Sequence, residues 1–373
     1  MRAAVGILSA VIVILAIDVL YWYRLERRPL PADTRIPRLK WTSTGDQFTG
    51  ATAPIVGSDG TLYLAGAFAI EAFDPSSAIK WVYRLDVGDP LRAANLVQDP
   101  AGNLYFTTSR FVYSITSSGL KRWQVSCAHA ALARNFEGSP FQSGAVYATC
   151  ESRFVALDES EGRERCRLPN VDTQASDFAS PSALMLRNEE FIFSRTQRLF
   201  AADRDGNTLW TYPSDPNSTA YLLGPGVGDM IYVRNSSSDL VALDSRGQEM
   251  WTFNGGPSVA FNENPVTAAG GTLYVAAAHG PLFALTSGGT LKWVFNLPPS
   301  TMNLGYTSPL LSSDGVIYQV LENSVIALSS NRELIWQLEL PEKGHRGFPA
   351  LAPDGTLYAV MDNSVVHAIQ TRN

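Results

Sequence analysis

The chain has 373 residues, 45% of them hydrophobic and 17% charged, and a formal net charge of −6. Its 29 glycines and 22 prolines interrupt it too often for a coiled coil, a helical bundle or a disordered chain, and suit a large all-β protein with many short connections. The acidic balance, with no long run of lysine or arginine, argues against nucleic acid as the main partner. Three cysteines are too few for a disulfide scaffold or a structural zinc protein.

The first segment stands apart. Residues 3–23 are apolar except for Ser9 and Asp18, long enough as a helix to span a bilayer at ~1.5 Å per residue. Tyr21, Trp22 and Tyr23 close the run and Arg24, Arg27 and Arg28 follow, the order of an aromatic belt and headgroup charges. The expectation is a single transmembrane anchor within residues 1–28, with the helix at about 3–23, then a proline-marked linker over 29–37. A cleaved signal peptide is the alternative, although bulky aromatics occupy the place of a small-residue cleavage site. With no cysteine before Cys127, an amino-terminal lipid anchor is excluded. The arginines after the helix, with Arg35, Arg38 and Lys40, would by themselves hold the large domain in the cytoplasm.

A repeat fills the rest. Tryptophans fall at Trp41, Trp81, Trp123, Trp210, Trp251, Trp293 and Trp336, with Cys166 in the slot between Trp123 and Trp210. The steps of 40 to 44 residues mark stacked supersecondary units. Each period has a proline-marked entry, a tight turn and strand such as Asp59-Gly60-Thr61-Leu62-Tyr63, an alanine strand such as Val241-Ala242-Leu243-Asp244, and a second turn leading to the tryptophan strand. The alanine recurs at Ala72, Ala156, Ala201, Ala242, Ala284, Ala327 and Ala368, with Ser114 as substitute. Four short strands joined by hairpins make a propeller blade. The small alanine leaves room for a neighbouring indole, so the tryptophans are structural. The last repeat ends without a tryptophan strand, and Trp41 has a strand without a repeat. The expected fold is therefore an all-β, eight-bladed propeller of four-stranded antiparallel blades over 38–373, closed by pairing Arg38–Thr44 with Val365–Gln370.

A unit carrying Asp-Gly-x-Leu-Tyr, Ala-Leu-Asp and Gly-x-x-x-Trp resembles the pyrroloquinoline-quinone-type propeller repeat and lacks the Gly-His and Trp-Asp pairs of WD40. The resemblance covers residues 38–373. It implies either a quinoprotein dehydrogenase or a BamB-like scaffold of the outer-membrane assembly machinery, which binds no quinone. The quinoprotein branch holds its cofactor beneath a disulfide of adjacent cysteines, whereas Cys127, Cys150 and Cys166 are separated; no cofactor is expected. The scaffold branch implies an exported, membrane-tethered, non-catalytic protein in the cell membrane. Its propeller would face the periplasm against the arginine bias, with envelope or membrane proteins as partners. A quinone-dependent oxidoreductase and a small-ligand or glycan sensor using the central funnel are the alternatives.

No catalytic motif or metal-ligand spacing stands out, and the histidines His129, His279, His345 and His367 are expected on the surface. Connections from each tryptophan strand to the next blade share a face with the hairpins between second and third strands. They hold Arg92, Arg134, Phe136, Phe261, Asn264, Tyr306, His345, Arg346 and Phe348, a candidate partner-binding rim; as an alternative reading, the aromatics plug the channel. Cys127 and Cys150 fall on one blade face close enough for a disulfide, which suits export. Three reduced cysteines are the alternative, and Cys166 is expected free.

Overall fold

The computed structural model describes residues 36–44, 53–91, 96–128, 130–135, 141–142, 144–150, 153–167, 183–186, 190–195, 197–203, 205–215, 217–257, 259–278, 280–298, 307–342, 344 and 347–371. The expected anchor and most of the linker lie outside them. Among the described residues no helix is long and apolar enough to cross a membrane.

The chain forms eight sheets in a ring, an eight-bladed propeller. Blade one shows the pattern: Ile55–Val56, Leu62–Ala65, Ala69–Phe73 and Ile79–Arg84 pair in chain order. Blade eight differs in connectivity. Gly347–Leu351, Thr356–Met361 and Val365–Gln370 come from one end of the propeller sequence, and Arg38–Thr44 from the other end completes the sheet. The closing register sets Trp41 opposite Ala368, the slot that the repeat assigns.

That slot has the same geometry all round. The small third-strand residue pairs with the tryptophan as Ala72 with Trp81, Ser114 with Trp123, Ala201 with Trp210, Ala242 with Trp251, Ala284 with Trp293 and Ala327 with Trp336. Cys166 takes the same position opposite Ala156. On the other side of the alanine a second-strand tyrosine reaches across, and Tyr63, Tyr105, Tyr232, Tyr274, Tyr318 and Tyr358 each lie 5.6 to 5.9 Å from their blade's indole. A larger third-strand side chain would separate the two rings.

Six of the indoles also reach the next blade. Trp41, Trp81, Trp123, Trp210, Trp251 and Trp293 donate Nε1–H to Pro75, Ser117, Glu159, Ser245, Ser287 and Ser330 carbonyls at 2.9 to 3.0 Å. These acceptors sit in the turn before the next fourth strand, where a glycine underlies the ring of Trp81, Trp123, Trp210 and Trp251. A Cβ on Gly119, Gly162, Gly247 or Gly289 would come within 2.5 to 2.7 Å of the indole. These glycines also have φ between 71° and 80°. The Gly-x-x-x-Trp spacing therefore serves two neighbouring blades at once.

The apolar core follows the same logic, as one cluster at each of the eight junctions. The junction between blades three and four departs from the pattern. Its outer slot holds Cys166, and Phe154, Phe191, Phe193 and Phe200 gather there instead. The inner strand of blade three is split into Ala131–Leu132 and Phe141–Gln142, both paired with Ala145–Cys150. Between the halves, Arg134–Asn135 crosses over and pairs in parallel with Leu184–Met185 of blade four. The four-stranded antiparallel blades are as expected, and this excursion adds one parallel pair at a single junction.

Candidate functional site

The blade-to-blade connections fold back onto the hairpins between second and third strands, so both share one face. Leu85 and Leu91 amides donate to Phe68 and Ala67 carbonyls, Cys127 to Arg110, Phe261 to Ser238, and Leu340 to Asn323. Asp89 locks the first connection. Its buried carboxylate accepts Thr108 Oγ1 at 2.7 Å, Ser109 Oγ at 2.8 Å and the Arg110 amide at 3.1 Å. Beside it, burial first, and then the Asp89 charge, push the Tyr113 phenol up to about 12. The Asp215 loop is likewise self-satisfied: the Asn217 amide and the Ser218 hydroxyl hold its carboxyl below the ordinary range. The described parts of these two connections are thus fixed by their own polar groups.

The part of this face around blades five and six carries a recess among the described residues. A shallow cleft of about 530 Å³ opens between Ser237 and Ser238 on one side and Asn254, Gly256, Pro257, Val259 and Ala260 on the other. Asp239 stiffens its wall by accepting Asn254 Nδ2 at 2.6 Å and Asn235 Nδ2 at 3.2 Å. Nearby, the Arg234 guanidinium stacks 4.3 Å from the Tyr221 ring centre and donates to Asn262 Oδ1. This is a fixed hydrogen-bonding surface, chemically equipped for recognition.

The structure sorts the candidate rim residues. Phe261 is fully buried, packed against Phe253 at 5.9 Å and Phe283 at 5.6 Å; its connection turns the ring into the junction of blades five and six, which corrects its placement on the rim. Asn264 lies against Gly224, donates to the Pro225 carbonyl at 3.4 Å, and has a buried Oδ1 without a partner. Its backbone carbonyl accepts Ser308 Oγ at 3.1 Å, and Thr307 Oγ1 donates to Gly347 O at 2.6 Å, linking blades six to eight. Phe348 is half-buried in the first strand of blade eight. Arg134 belongs to the inter-blade strand, not to an open connection. Arg92, Phe136, Tyr306, His345 and Arg346 lie outside the described residues, as do His129 and His279. His367 is fully buried, which corrects its expected surface position. The recess residues Ser237 and Ser238 were not singled out from the sequence; the Asn235-Ser236-Ser237-Ser238-Asp239 turn was their signal.

Cys127 and Cys150 are joined in a disulfide, with Cα atoms 5.0 Å apart. Both are buried at the junction of blades two and three. A bridge in that place cannot lie over a quinone in the channel, so the cysteines present do not fit the quinoprotein arrangement. Among the described residues, no three His, Cys, Asp or Glu side chains form a group able to hold a metal ion.

Fold and repeat together define a propeller of the pyrroloquinoline-quinone-like class. The family model described as outer membrane protein assembly factor BamB matches residues 111–254 and 195–373, and the chain belongs to that family. No curated protein sequence matches the chain. Among solved structures, BamB from Moraxella catarrhalis is 16% identical with a TM-score of 0.57, over 90% of this chain and 100% of that one. A europium-containing methanol dehydrogenase is 12% identical with a TM-score of 0.61, over 87% of this chain and 84% of the other. Virginiamycin B lyase from Staphylococcus aureus is 14% identical with a TM-score of 0.55, over 90% and 99%. At such identities the structural likenesses show the fold alone.

Proposed function

We propose that this chain is a membrane-tethered, non-catalytic propeller scaffold for protein–protein interaction in the cell envelope, acting in the assembly of outer-membrane proteins. The observation that carries the reading is the BamB family match across residues 111–373. The Cys127–Cys150 bridge supports a propeller in an oxidising compartment, outside the cytoplasm. The apolar run at residues 3–23 supports a tether. The hairpin-and-connection face is the partner surface of this reading, because its loops are held rigid and carry the polar and aromatic groups typical of interfaces.

Photo-crosslinking side chains placed at Ser237, Asn262 and Phe348, and at Leu209 and Met250 on outer strands as controls, test this in native membranes. The expected result is crosslinking to envelope assembly proteins from the first set and not from the controls. Crosslinks from neither set, or equally from both, would overturn the partner surface. Purified protein that takes up the quinone with calcium as a bound chromophore and reduces a dye would replace the scaffold with an oxidoreductase.

A further inference from the structure

The seam that closes the ring contains a buried titratable group. His367 lies on the third strand of blade eight, opposite Thr42 of the closing strand on one side and Ala359 on the other. It is fully buried. Its Nδ1 lies 3.1 Å from Thr42 Oγ1, while Nε2 has no hydrogen-bond partner. One ring nitrogen is therefore committed to the closing strand, and the Glu342 backbone is the ring's other polar neighbour. The charged group in reach is Glu342, an exposed carboxylate in the connection from blade seven to blade eight. Thr42 and Ala359, which flank the ring, carry no charge. Lys40 on the closing strand is engaged with Thr356 Oγ1 at 2.9 Å and Asp354 at 3.6 Å.

The seam is also where the ring is tied least by the chain. In the other seven blades a short turn joins the third strand to the fourth. In blade eight the two strands come from opposite ends of the propeller sequence, so closure gains nothing from a local hairpin and carries the largest loop-closure cost in the molecule.

We propose that His367 makes this seam a pH-sensitive closure: protonation places a charge beneath Arg38–Thr44 and favours release of that strand from blade eight. Burial holds the imidazole below its ordinary value near 6.5, opposed by the Glu342 charge. With the strand released, the ring regains its ordinary value. The open seam then binds more protons than the closed one, so closure is at full strength above pH 6.5. Below that pH it weakens by about tenfold per unit, until the closed-state imidazole itself protonates.

Hydrogen exchange of the full-length protein at pH 7.5 and 5.5, corrected for the intrinsic pH dependence of exchange, tests the proposal. Amides of Leu39–Ser43 bonded to blade eight should lose protection at the lower pH, by at most about tenfold, relative to Val241–Leu243 in blade five. The difference should vanish in His367→Gln, which stays neutral. A loss shared equally by both blades, or one that persists in His367→Gln, overturns the proposal. Should that variant not fold, the wild-type comparison of the two blades decides alone.

Discussion

At the scale of single residues, the turn beneath each indole is the most constrained point of the repeat. Gly289 combines φ of 77° with a Trp251 ring that would lie 2.5 Å from any Cβ. Gly289→Ala should lower the unfolding free energy by about 1–3 kcal/mol, read from the denaturation midpoint. Ser77 holds the same place in blade one with φ of 81°, where a side chain costs about 1 kcal/mol. Ser77→Gly should therefore stabilise, since the bond from its amide to the Asp74 carbonyl at 3.1 Å survives the change. Tryptophan, alanine and glycine spacing was legible in the sequence because each role recurs in most of the blades. Phe261 was not, because nothing local states whether a phenylalanine in a connection turns inward or outward. The fate of that ring is decided by Phe253 and Phe283 from strands on either side of the junction.

Strands and turns show how the repeat tolerates exceptions. Blade three has Cys166 where the other blades have tryptophan, and the junction it forms is the one reinforced by Arg134–Asn135 pairing with blade four. The tie has moved from the outer edge to the inner edge. Gly206, with φ of 84°, occupies the turn position in blade four that Gly247 occupies in blade five. Cys166→Trp should thus set an indole over the Gly206 turn and raise stability by about 1–2 kcal/mol, measured by chemical denaturation. The excursion itself carries no periodic signature, and it was not legible in the sequence. The acidic turns, by contrast, were legible as Asp-Gly pairs. Thr61 donates from its hydroxyl and amide to Asp59 at 2.7 and 3.0 Å, and the hydroxyl bond is the main cause holding that carboxyl below its ordinary 3.8. Asp203 is lowered similarly, first by the Asn207 side-chain amide. Carboxyls depressed in the folded state stabilise it above the ordinary value and cease to do so as pH falls through the depressed one. Melting temperature should therefore drop steeply below about pH 4, and Asp59→Asn should flatten part of that drop.

For the whole molecule, closure and covalent bridging are the features with global consequence. Removing residues 38–44 strips blade eight of its outer strand and leaves Val365–Gln370 as an open edge, so the truncated protein should melt far below the parent, followed by circular dichroism. Thiol counting on denatured, unreduced protein should find one free thiol of three, assigned to Cys166, because Cys127 and Cys150 are paired. The architecture was legible almost entirely: eight slots, their order and the closing register all follow from spacing. The interaction face was legible only as a location, since its relief is made by connections bonded to hairpins far away in sequence. One feature of the ring extends to the protein as an assembly of near-copies. The indole bonds all run from a blade to its successor, which makes the six junctions that carry them heterologous interfaces repeated by rotation. Such interfaces form open filaments unless the step angle divides the circle. Eight blades fix that step at about 45°, and loss of one would force about 51° on every remaining junction. Blade number is consequently a property that no single junction can change alone, and any altered angle at one indole is shared out among the other seven interfaces.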